Sequence, residues 1–579
     1  MARVSVSVSM KKKKPSLILT LSSAGLLIGG GIAGYWLLTQ GKPLSRDLPP
    51  GATIIPQDAL FAVSLTTDVR QWEQLRQFGT SEVQAEIDKN IVQLRDRFLS
   101  NNGYDFQKDI QPWVGEEVTL AVLNNVDSSK PPAKPVAENI RTANSQQLVL
   151  VLPIKNAQNA KTALTQLQAK KGASLKERPY KGIPIKEIDI NSNNTSEDFA
   201  VSVIENKYVV ITDDSKAMEK AIDAYQAKTS LSTVPGYANN ISKISSYQPF
   251  GQFYINVPTS AKIASAAPNR QFPAQVLSQL QNNQGLAGTI TLESEGVRLK
   301  GVSWLNPNSS RVLRVDNSAV EMQNRVPAET LMMFSGGNLA RAWADYSSTS
   351  QNNPLSPMPP EQLRNGFKSW VNMDLERDFL SWMNGEFSVS VIPTSKDGQE
   401  EAFRAALVFM VRTNNRQRAD AALKQLDEAM RSQYQFRIEE KRALGKPIIN
   451  WIGPFGTLTA SHGWMDDDVA FIALGAPIAE KILTTNQSNN SLARTQAFQK
   501  AVPSELNPIN GQFFLDVERT SKNFPLPPLF PNQQIFLNAT RSIGVTSAVS
   551  DNRSNRYDIF ISLKKGAKPA PLPSPTVKP

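Results

Sequence analysis

Cysteine is absent from the 579-residue chain, and histidine occurs once, at His462. Without cysteine the chain cannot form disulfides, bind zinc through thiolates, use a cysteine nucleophile or carry a lipid on an N-terminal cysteine. A single histidine excludes metal centres that need several imidazoles from one chain. Hydrophobic residues make up 40% and charged residues 20% of the sequence, which is typical of folded rather than disordered proteins.

The basic excess, a net charge of +11, is concentrated at the two ends of the chain. Six of the 63 basic residues lie in residues 1–42 and four in 564–579, and neither segment contains an acidic residue, so 53 bases face 52 acids between them. A fold that binds nucleic acid usually carries its basic excess within the fold, where it contacts phosphates. The almost neutral body therefore predicts no nucleic-acid partner.

An uncharged segment, Ser16–Leu38, follows the basic run Lys11–Lys14. At about 1.5 Å per residue it is long enough to cross a hydrocarbon core of about 30 Å. Tyr35 and Trp36 suit the far membrane interface, and the lysines favour a cytoplasmic N-terminus (residues 1–15). We therefore predict an uncleaved single-pass signal-anchor in the lipid bilayer. A cleaved signal peptide is the alternative, although its apolar region is usually about 7–15 residues long and ends at a small-residue cleavage site.

Four glycines in this segment form two pairs, Gly25 with Gly29 and Gly30 with Gly34, each with a spacing of four residues. Such spacing lets two helices approach closely and can support a homodimer. The alternative is that these glycines are simply tolerated in an anchor.

Proline-rich segments frame the body of the chain. Residues 39–52 are predicted to be an extended linker, and residues 564–579, with five prolines, a Pro/Lys-rich disordered tail. Between these segments we predict two domains, at 53–310 and 318–563, each large enough to bury its own core.

The body repeats itself in six matches that keep the same order, with offsets between 271 and 259 residues. Such a period is too long for a solenoid repeat, so the pattern indicates two tandem copies of one domain. Two matched pairs of tryptophans are therefore expected at equivalent positions in the core. The matches are Ile55–Leu60 with Val326–Leu331, Trp72 with Trp343, Trp113–Val118 with Trp382–Phe387, Gln158–Leu167 with Gln417–Leu426, Gly182–Pro184 with Gly445–Pro447, and Gly251–Ile255 with Gly511–Leu515.

Short apolar strands and longer helices share each copy. Because successive strands are separated by short turns, we expect antiparallel pairing and an α+β class, namely two copies of a mixed, mainly antiparallel sheet-plus-helix domain after one transmembrane helix. In the first copy the spacing of apolar residues predicts strands at 59–65, 118–123, 148–152, 199–204, 208–212 and 252–257, a hairpin over 287–303, and helices at 82–99, 156–170 and 215–227.

The anchor, the sequence Pro49-Pro50-Gly51-Ala52 followed by Pro56, and the turn Trp113–Glu117 resemble a membrane-anchored cyanobacterial family of uncharacterised proteins, domain of unknown function 3352. The resemblance covers roughly residues 48–563. It implies no activity, cofactor or catalytic residue. It implies an extracytoplasmic body in a photosynthetic bacterium, in the periplasm or the thylakoid lumen.

His462 and the acidic run Asp466–Asp468 are the first residues to test for chemistry. Ser461 precedes His462, but neighbours in a strand point to opposite faces, so a catalytic Ser–His pair would need a partner from elsewhere. An ordinary residue beside a turn is the simpler interpretation of His462. The run Asp466–Asp468 offers oxygen ligands for Ca²⁺ but lacks the spacing of a calcium loop, and aspartates favour the hairpin turn expected there.

Other acidic and glycine-rich stretches also have structural explanations. Glu116, Glu117 and Glu386 follow turns that contain a tryptophan and a glycine, and a glycosidase would need a carboxylate geometry that sequence spacing does not supply. One carboxylate of Asp213-Asp214-Ser215 is expected to cap the following helix. The stretches Gly29–Gly31 and Ser335–Asn338 lack the pattern of a phosphate-binding loop.

These observations leave the chain without an assigned catalytic, cofactor-binding or metal-binding residue. We therefore expect a non-enzymatic envelope protein, anchored by one helix, whose duplicated extracytoplasmic domain binds a protein partner or serves as a scaffold. The alternatives are a hydrolase that acts on an envelope polymer through carboxylates, and an assembly or folding factor for membrane complexes.

Overall fold

The computed structural model describes residues 48–98, 105–124, 146–170, 174–192, 195–244, 246, 248–260, 283–309, 311–314, 318–350, 359–394, 405–475, 477–488, 490–524 and 533–573. The predicted signal-anchor at 16–38 and its four glycines lie outside these residues. No helix in the described part of the chain is both long enough and apolar enough to span a membrane.

The first half of the described chain contains ten strands and five α-helices. The strands are β1 (Phe61–Thr66), β2 (Glu117–Asn124), β3 (Gln146–Pro153), β4 (Ser174–Tyr180), β5 (Ile183–Ser192), β6 (Thr195–Ile204), β7 (Tyr208–Thr212), β8 (Gly251–Asn256), β9 (Asn283–Glu293) and β10 (Gly296–Leu305). The helices are α1 (Val69–Leu75), α2 (Ser81–Phe98), α3 (Ala157–Lys170), α4 (Ser215–Gln226) and α5 (Tyr237–Ile241).

The second half contains ten further strands and seven α-helices among its described residues. The strands are β11 (Met332–Gly336), β12 (Phe387–Pro393), β13 (Ala405–Arg412), β14 (Arg437–Ala443), β15 (Lys446–Ile452), β16 (Leu458–Trp464), β17 (Val469–Leu474), β18 (Gly511–Asp516), β19 (Thr540–Asp551) and β20 (Ser554–Leu563). The helices are α6 (Leu339–Ser350), α7 (Pro360–Val371), α8 (Arg416–Tyr434), α9 (Ala479–Ser488), α10 (Gln496–Ala501), α11 (Val517–Asn523) and α12 (Gln533–Ala539).

All twenty described strands belong to one antiparallel sheet. Across the first half the order is β4-β5-β6-β7-β3-β2-β1-β8-β9-β10. The second half continues as β20-β19-β18-β11-β12-β13-β17-β16-β15-β14. Strands β10 and β20 pair at the centre, where Lys300 lies opposite Asp558, and we call this pairing the seam. The structure thus confirms a mixed helix-and-strand fold with a large antiparallel sheet.

Helices cover both faces of the sheet. One face, which we call the α4 face, packs against α4 in the first half, around Met218, Ala221 and Ile222, and against α9 in the second, around Ile482 and Leu483. The opposite face, the α8 face, packs against α8 and α3 at its two sides and against apolar residues of both halves at the seam. Amphipathic helices with one buried stripe explain this three-layered arrangement.

The edge strands β4 and β14 are among the elements that the sequence analysis did not predict. Their sequences, SLKERPY and RIEEKRA, carry charges on both faces, so the alternation that signals a half-buried strand is weak. Charged edges protect a sheet from pairing with other chains. Each edge strand turns into its neighbour through two residues with positive φ, Lys181-Gly182 and Leu444-Gly445, as a tight hairpin requires.

The C-terminal segment differs from the predicted disordered tail over residues 564–573. Lys565 pairs with Phe78, and the backbone carbonyls of Ala567 and Ala570 accept hydrogen bonds from Gln84 at 2.9 Å and Arg76 at 2.5 Å. The segment therefore follows a defined path along α2, because side chains of the first half satisfy its backbone.

Candidate functional site

A cavity of about 230 Å³ opens on the second half of the sheet, beside α6. Its walls come from β11, β12, β18 and β19 and from the first turns of α6. Phe334 presents a ring that is 38% exposed, and Phe387 packs behind it with the two ring centroids 5.8 Å apart. The apolar part of the cavity is therefore aromatic.

The cavity coincides with a difference in side-chain size between the strand pairs β1–β8 and β11–β18. On β1, Leu65 pairs with Gly251 of β8, and Phe250 precedes that glycine and is 1% exposed. On β11, the residue that pairs with Gly511 of β18 is Gly336, and the residue before Gly511 is Asn510. Beside the β1–β8 pair there are thus a leucine and a phenylalanine, where the β11–β18 pair has a glycine and an asparagine.

Polar groups line the rest of the cavity. Arg314 is exposed, and the guanidinium of Arg341 lies 3.5 Å from the carboxylate of Asp345 one helical turn away. Asn510 accepts a hydrogen bond of 2.8 Å from the backbone N–H of Val549, and Ser547 completes the wall. An aromatic floor with a few polar groups at its rim is the usual composition of a binding site.

A row of buried polar side chains crosses the α4 face through ten neighbouring strands. Residues that lie directly opposite each other in an antiparallel sheet share a face, so the row is continuous. Except for Lys300, whose side chain is 14% exposed, its members are buried. In strand order the row is Thr119, Ser64, Gln252, Thr289, Lys300, Asp558, Thr546, Gln512, Ser335 and Ser388.

The two ends of this polar row differ in hydrogen bonding. In the first half Ser64 and Thr119 bond to each other at 2.7 Å. In the second half the hydroxyls of Ser335 and Ser388 have no hydrogen-bond partner among the described residues. Buried polar groups are normally paired, so unsatisfied atoms draw attention to their surroundings. Strands β11 and β12 therefore carry unsatisfied polar groups on one face and border the cavity.

His462 is a buried strand residue rather than one beside a turn. It is 5% exposed, and its Nε2 lies 2.8 Å from Oδ1 of Asp427, which also accepts a 2.7 Å hydrogen bond from the indole of Trp451. Ser461 faces the other way and donates to Asn450 at 2.8 Å. The structure therefore does not bring Ser461 and His462 together.

The carboxylates of Asp466, Asp467 and Asp468 lie in the turn between β16 and β17, as predicted, and each faces a different arginine. Asp466 contacts Arg325 at 3.1 Å, Asp467 lies 3.5 Å from Arg416, and Asp468 lies 2.9 Å from Arg412. No cluster of three potential metal ligands is found among the described residues. The run is therefore neutralised by basic side chains at the tip of a hairpin.

Glu117 and Glu386 do not form a catalytic pair. Burial raises the pKa of both carboxyls, and Glu386 accepts hydrogen bonds of 2.9 Å from the backbone N–H groups of Glu321 and Met322. Glu117 begins β2 and Glu386 immediately precedes β12, and eight strands lie between these two strands. Glu116 is exposed. Two carboxylates that flank one glycosidic bond must lie within about 10 Å of each other, which this separation excludes.

Asp214 is the predicted helix cap and accepts a hydrogen bond of 2.7 Å from the backbone N–H of Ala217 at the start of α4. Asp213 accepts one of 3.0 Å from the N–H of Leu148, and burial raises the pKa of its carboxyl to about 6.

Of the two glycine-rich stretches in the sequence analysis, Gly29–Gly31 lie outside the described residues. Residues Ser335–Asn338, which lack the pattern of a phosphate-binding loop, line the cavity. The sequence signal for the cavity is that Gly336 lies 271 residues after Leu65, the offset of the first predicted repeat match, and so pairs a small residue with a large one.

The fold and the cavity define a mixed helix-and-strand chain with one long antiparallel sheet and a small cavity with aromatic walls. The chain belongs to the family described as protein of unknown function (DUF3352), whose profile matches residues 20–563. A search of curated proteins finds no match.

Comparison with solved structures finds crystal forms I and III of TP0453. Their sequence identities to this chain are 10% and 11%, and their TM-scores are 0.22 and 0.21. The alignments cover 47% and 48% of this chain and 83% and 84% of the solved chains. TM-scores this low carry no argument about fold or function.

Proposed function

We propose that this protein is a non-enzymatic binding protein, anchored to a membrane by residues 16–38, whose cavity beside α6 takes an apolar side chain of a protein partner. The observation that carries the proposal is the cavity itself. Its volume of about 230 Å³ is below the ~300–1,000 Å³ typical of sites for drug-sized ligands. It suits one or two anchoring side chains, which usually dominate the affinity of a protein interface.

The first half of the chain indicates what such an occupant looks like. There, Leu65 and Phe250 fill the corresponding position, and Phe250 packs edge-on against Trp72 with centroids 4.9 Å apart. A partner that inserts a phenylalanine or leucine beside Phe334 would reproduce this packing in the second half. The exposed Arg314 at the rim favours a partner with an acidic residue next to that anchor.

The test replaces each of two native alanines of α6 by phenylalanine and measures crosslinking in the native membrane. Ala342 is exposed and lines the cavity, whereas Ala344 is exposed on the same helix and is not part of the cavity wall. We expect Ala342→Phe to abolish crosslinking to the partner by filling the cavity, and Ala344→Phe to leave it unchanged. Equal crosslinking by both variants, with equal melting temperatures, would contradict the proposal.

We further propose that the two halves arose by tandem duplication. The strand orders around β1 and β11 support this, because each half runs through the same sequence of neighbours toward the seam. Short motifs outside the six sequence matches support it too. The backbone N–H of Asp105 donates to Asp109 at 2.8 Å, and that of Asp374 donates to Asp378 at 2.9 Å, each before a π-helical turn. Superposing the halves of an experimental structure tests the idea, and unrelated positions for Trp113 and Trp382 would refute it.

The proposed location is the periplasm or thylakoid lumen of a cyanobacterium, with the N-terminus in the cytoplasm. The lysine run before an uncharged segment supports the orientation. Protease added to intact spheroplasts should digest the body of a plasma-membrane pool. Protection of the body in cells that lack an internal-membrane pool would overturn the orientation.

Loss of a membrane dimer on changing Gly25, Gly29, Gly30 and Gly34 to leucine would support pairing through these glycines.

A further inference from the structure

Two arginines flank the seam on the α4 face. Lys300 of β10 lies opposite Asp558 of β20, and each strand carries an arginine two residues before that pair, Arg298 on β10 and Arg556 on β20. Because the strands run in opposite directions, the arginines lie on opposite sides of the Lys300–Asp558 pair and on the same face. Their surroundings can therefore be compared directly.

Arg298 is surrounded by carboxylates. It donates from Nε and Nη2 to Asp558 at 2.8 and 2.5 Å, and its Nη1 lies 2.8 Å from Glu505 and 3.6 Å from Glu293. Asp558 itself has no exposed surface in its side chain. A bidentate pair of this kind satisfies both the guanidinium and the buried carboxylate.

Arg556 has the same kind of position without the carboxylates. The residue is 7% exposed, and neither its Nε nor its Nη1 has a hydrogen-bond partner among the described residues. The residue diagonal to Arg298 across the seam is Asp558, whereas the residue diagonal to Arg556 is Lys300. Burial lowers the pKa of Arg556, with Asp551 as the acid that acts against this effect.

Asp551, the acid that acts on the pKa of Arg556, already has other partners. It lies 2.7 Å from the ammonium of Lys243, and it accepts hydrogen bonds from Ser554 at 2.6 Å and from the backbone N–H of Arg553 at 2.8 Å. Lys243 also donates to Ser554 at 3.1 Å. These contacts engage Asp551 at the end of β19, and no hydrogen bond joins its carboxylate to Nε or Nη1 of Arg556.

A second unsatisfied group lies on the segment that covers this side of the seam. The hydroxyl of Thr289 on β9 donates to the carbonyl of Ile244 at 3.0 Å, and that of Thr546 on β19 donates to the carbonyl of Pro503. Two residues after Pro503 comes Glu505, which binds Arg298. Two residues after Ile244 comes Ser246, whose buried hydroxyl has no partner among the described residues. Along the chain, Ser246 thus follows the carbonyl that binds Thr289 by the same two residues by which Glu505 follows the carbonyl that binds Thr546.

We propose that Arg556 and Ser246 form a binding site for a carboxylate ligand, which takes the place that Asp558 and Glu505 hold beside Arg298. A buried guanidinium whose Nε and Nη1 lack partners is costly, and carboxylate oxygens accept charge-assisted hydrogen bonds from such donors. The hydroxyl of Ser246 supplies a further donor. This site is independent of the cavity beside α6, because the two share no residue.

The test measures thermal stability of the full chain in acetate and glutarate, with chloride and sulfate at the same ionic strength as controls. Ligands that bind only the folded state raise the melting temperature with concentration. We expect the carboxylates to raise it for the natural protein and for Arg431→Met, in which an exposed arginine outside both sites is removed. We expect no carboxylate-dependent rise for Arg556→Met, whose melting temperature without ligand should match or exceed that of the natural protein.

Calorimetric titration of glutarate then separates the two donors. Arg556→Met should weaken binding by about tenfold or more, the scale of a lost charge-assisted hydrogen bond, and Ser246→Ala by less. A rise in melting temperature that is equal in the natural protein and Arg556→Met would overturn the site. So would the absence of any rise in the natural protein, and an equal response to sulfate would overturn the assignment to carboxylates.

Discussion

Trp113 and Trp382 occupy similar buried environments but differ in one hydrogen bond. They are 4% and 1% exposed, respectively. The indole N–H of Trp113 donates to the carbonyl of Asp109 at 2.7 Å, whereas that of Trp382 is buried with no partner among the described residues. Trp72 and Trp343 are only partly buried, so the expectation of core positions fits the first pair better. The contributions of packing and of hydrogen bonding to stability can therefore be separated by comparing Trp113 with Trp382.

We predict that Trp113→Ala and Trp382→Ala each lower the free energy of unfolding by about 3–5 kcal/mol, because a large buried ring leaves a cavity. Replacement by phenylalanine should separate the two sites. Trp113→Phe leaves the Asp109 carbonyl without its donor and should cost about 1 kcal/mol more than Trp382→Phe. Denaturant unfolding measures these differences. The control is Trp370→Ala, where the residue is 46% exposed, and an equally large loss there would contradict the burial argument.

Asp213 provides a pH-dependent prediction at the same scale. Its carboxyl has a pKa raised to about 6 by burial, from an ordinary value of 3.8. A raised pKa favours the folded state when the group is protonated, so this contribution is present below the ordinary pKa and is lost as the pH rises through about 6. At neutral pH, Asp213→Asn should therefore be more stable than the natural protein by about 1–3 kcal/mol.

Asparagine can still accept the hydrogen bond from Leu148, so the comparison isolates the charge. The difference in melting temperature should shrink to nothing as the pH falls to about 4. Asp467→Asn, at a fully exposed carboxylate, is the control and should behave like the natural protein throughout. A stabilisation by Asp213→Asn that is constant across this range would be inconsistent with ionisation as its cause.

At the scale of elements, the C-terminal segment 564–573 is held by backbone hydrogen bonds to residues 77–79, just before α2, and by the side chain of Gln84 within α2. The N–H of Gly79 donates to the carbonyl of Lys564 at 2.6 Å, and the N–H of Gly566 donates to the carbonyl of Gln77 at 3.0 Å. Arg76, which also binds Asp88 through two nitrogens, reaches Ala570. The end of the second half thus helps to hold a helix of the first.

We predict that a chain ending at Leu563 has a less protected α2. Hydrogen–deuterium exchange should become faster in residues 77–98, because the removed segment supplied partners for Arg76 and Gln84. A chain ending at Pro573, which keeps these contacts, is the matched control and should exchange like the full chain. Unchanged exchange in the shorter truncation would mean that the contacts do not stabilise the helix.

At the scale of the whole molecule, the seam makes one sheet out of two halves. Strands β10 and β20 pair over residues 296–304 and 554–562, and the buried Arg298–Asp558 pair crosses them. Opposite charges directly across an antiparallel pair stabilise it, whereas like charges oppose it. Lys300 opposite Asp558 therefore favours the pairing of β10 with β20 over the pairing of either strand with its own copy.

We predict a single cooperative unfolding transition that depends on the seam. A Cβ at Gly296 would lie 2.0 Å from the carbonyl oxygen of Ile561, so Gly296→Ala should push β10 and β20 apart and lower the melting temperature of the whole transition. Gly366→Ala is the control. It lies in α7 with no atom within 4 Å of the added carbon and should stabilise the helix by up to about 1 kcal/mol.

Calorimetry decides the question, because it resolves transitions that differ in midpoint. Two separate transitions, of which Gly296→Ala moves only one, would show that the halves unfold independently. A loss of stability in Gly366→Ala as large as that in Gly296→Ala would remove the seam as the explanation.

Much of the fold could be predicted because strands and helices leave local periodic patterns. The predicted helix at 82–99 corresponds to α2, and the predicted hairpin over 287–303 lies within β9 and β10. The hairpin of β4 and β5 was missed, because an edge strand can carry charges on both faces. The candidate site was not predicted, since the stretch Ser335–Asn338 was judged only against a phosphate-binding pattern.

The sequence by itself determined the approximate bounds of eight strands and three helices of the first half, what the chain lacks and which segments match each other, because these features depend on neighbours in the chain. Only the tertiary structure decided that β10 pairs with β20, that Nε and Nη1 of Arg556 have no hydrogen-bond partner among the described residues, and that a cavity lies beside Gly336 and Asn510. Each of these depends on the register between segments far apart in the chain. Register is set by packing and hydrogen bonding across the sheet, which no local pattern encodes.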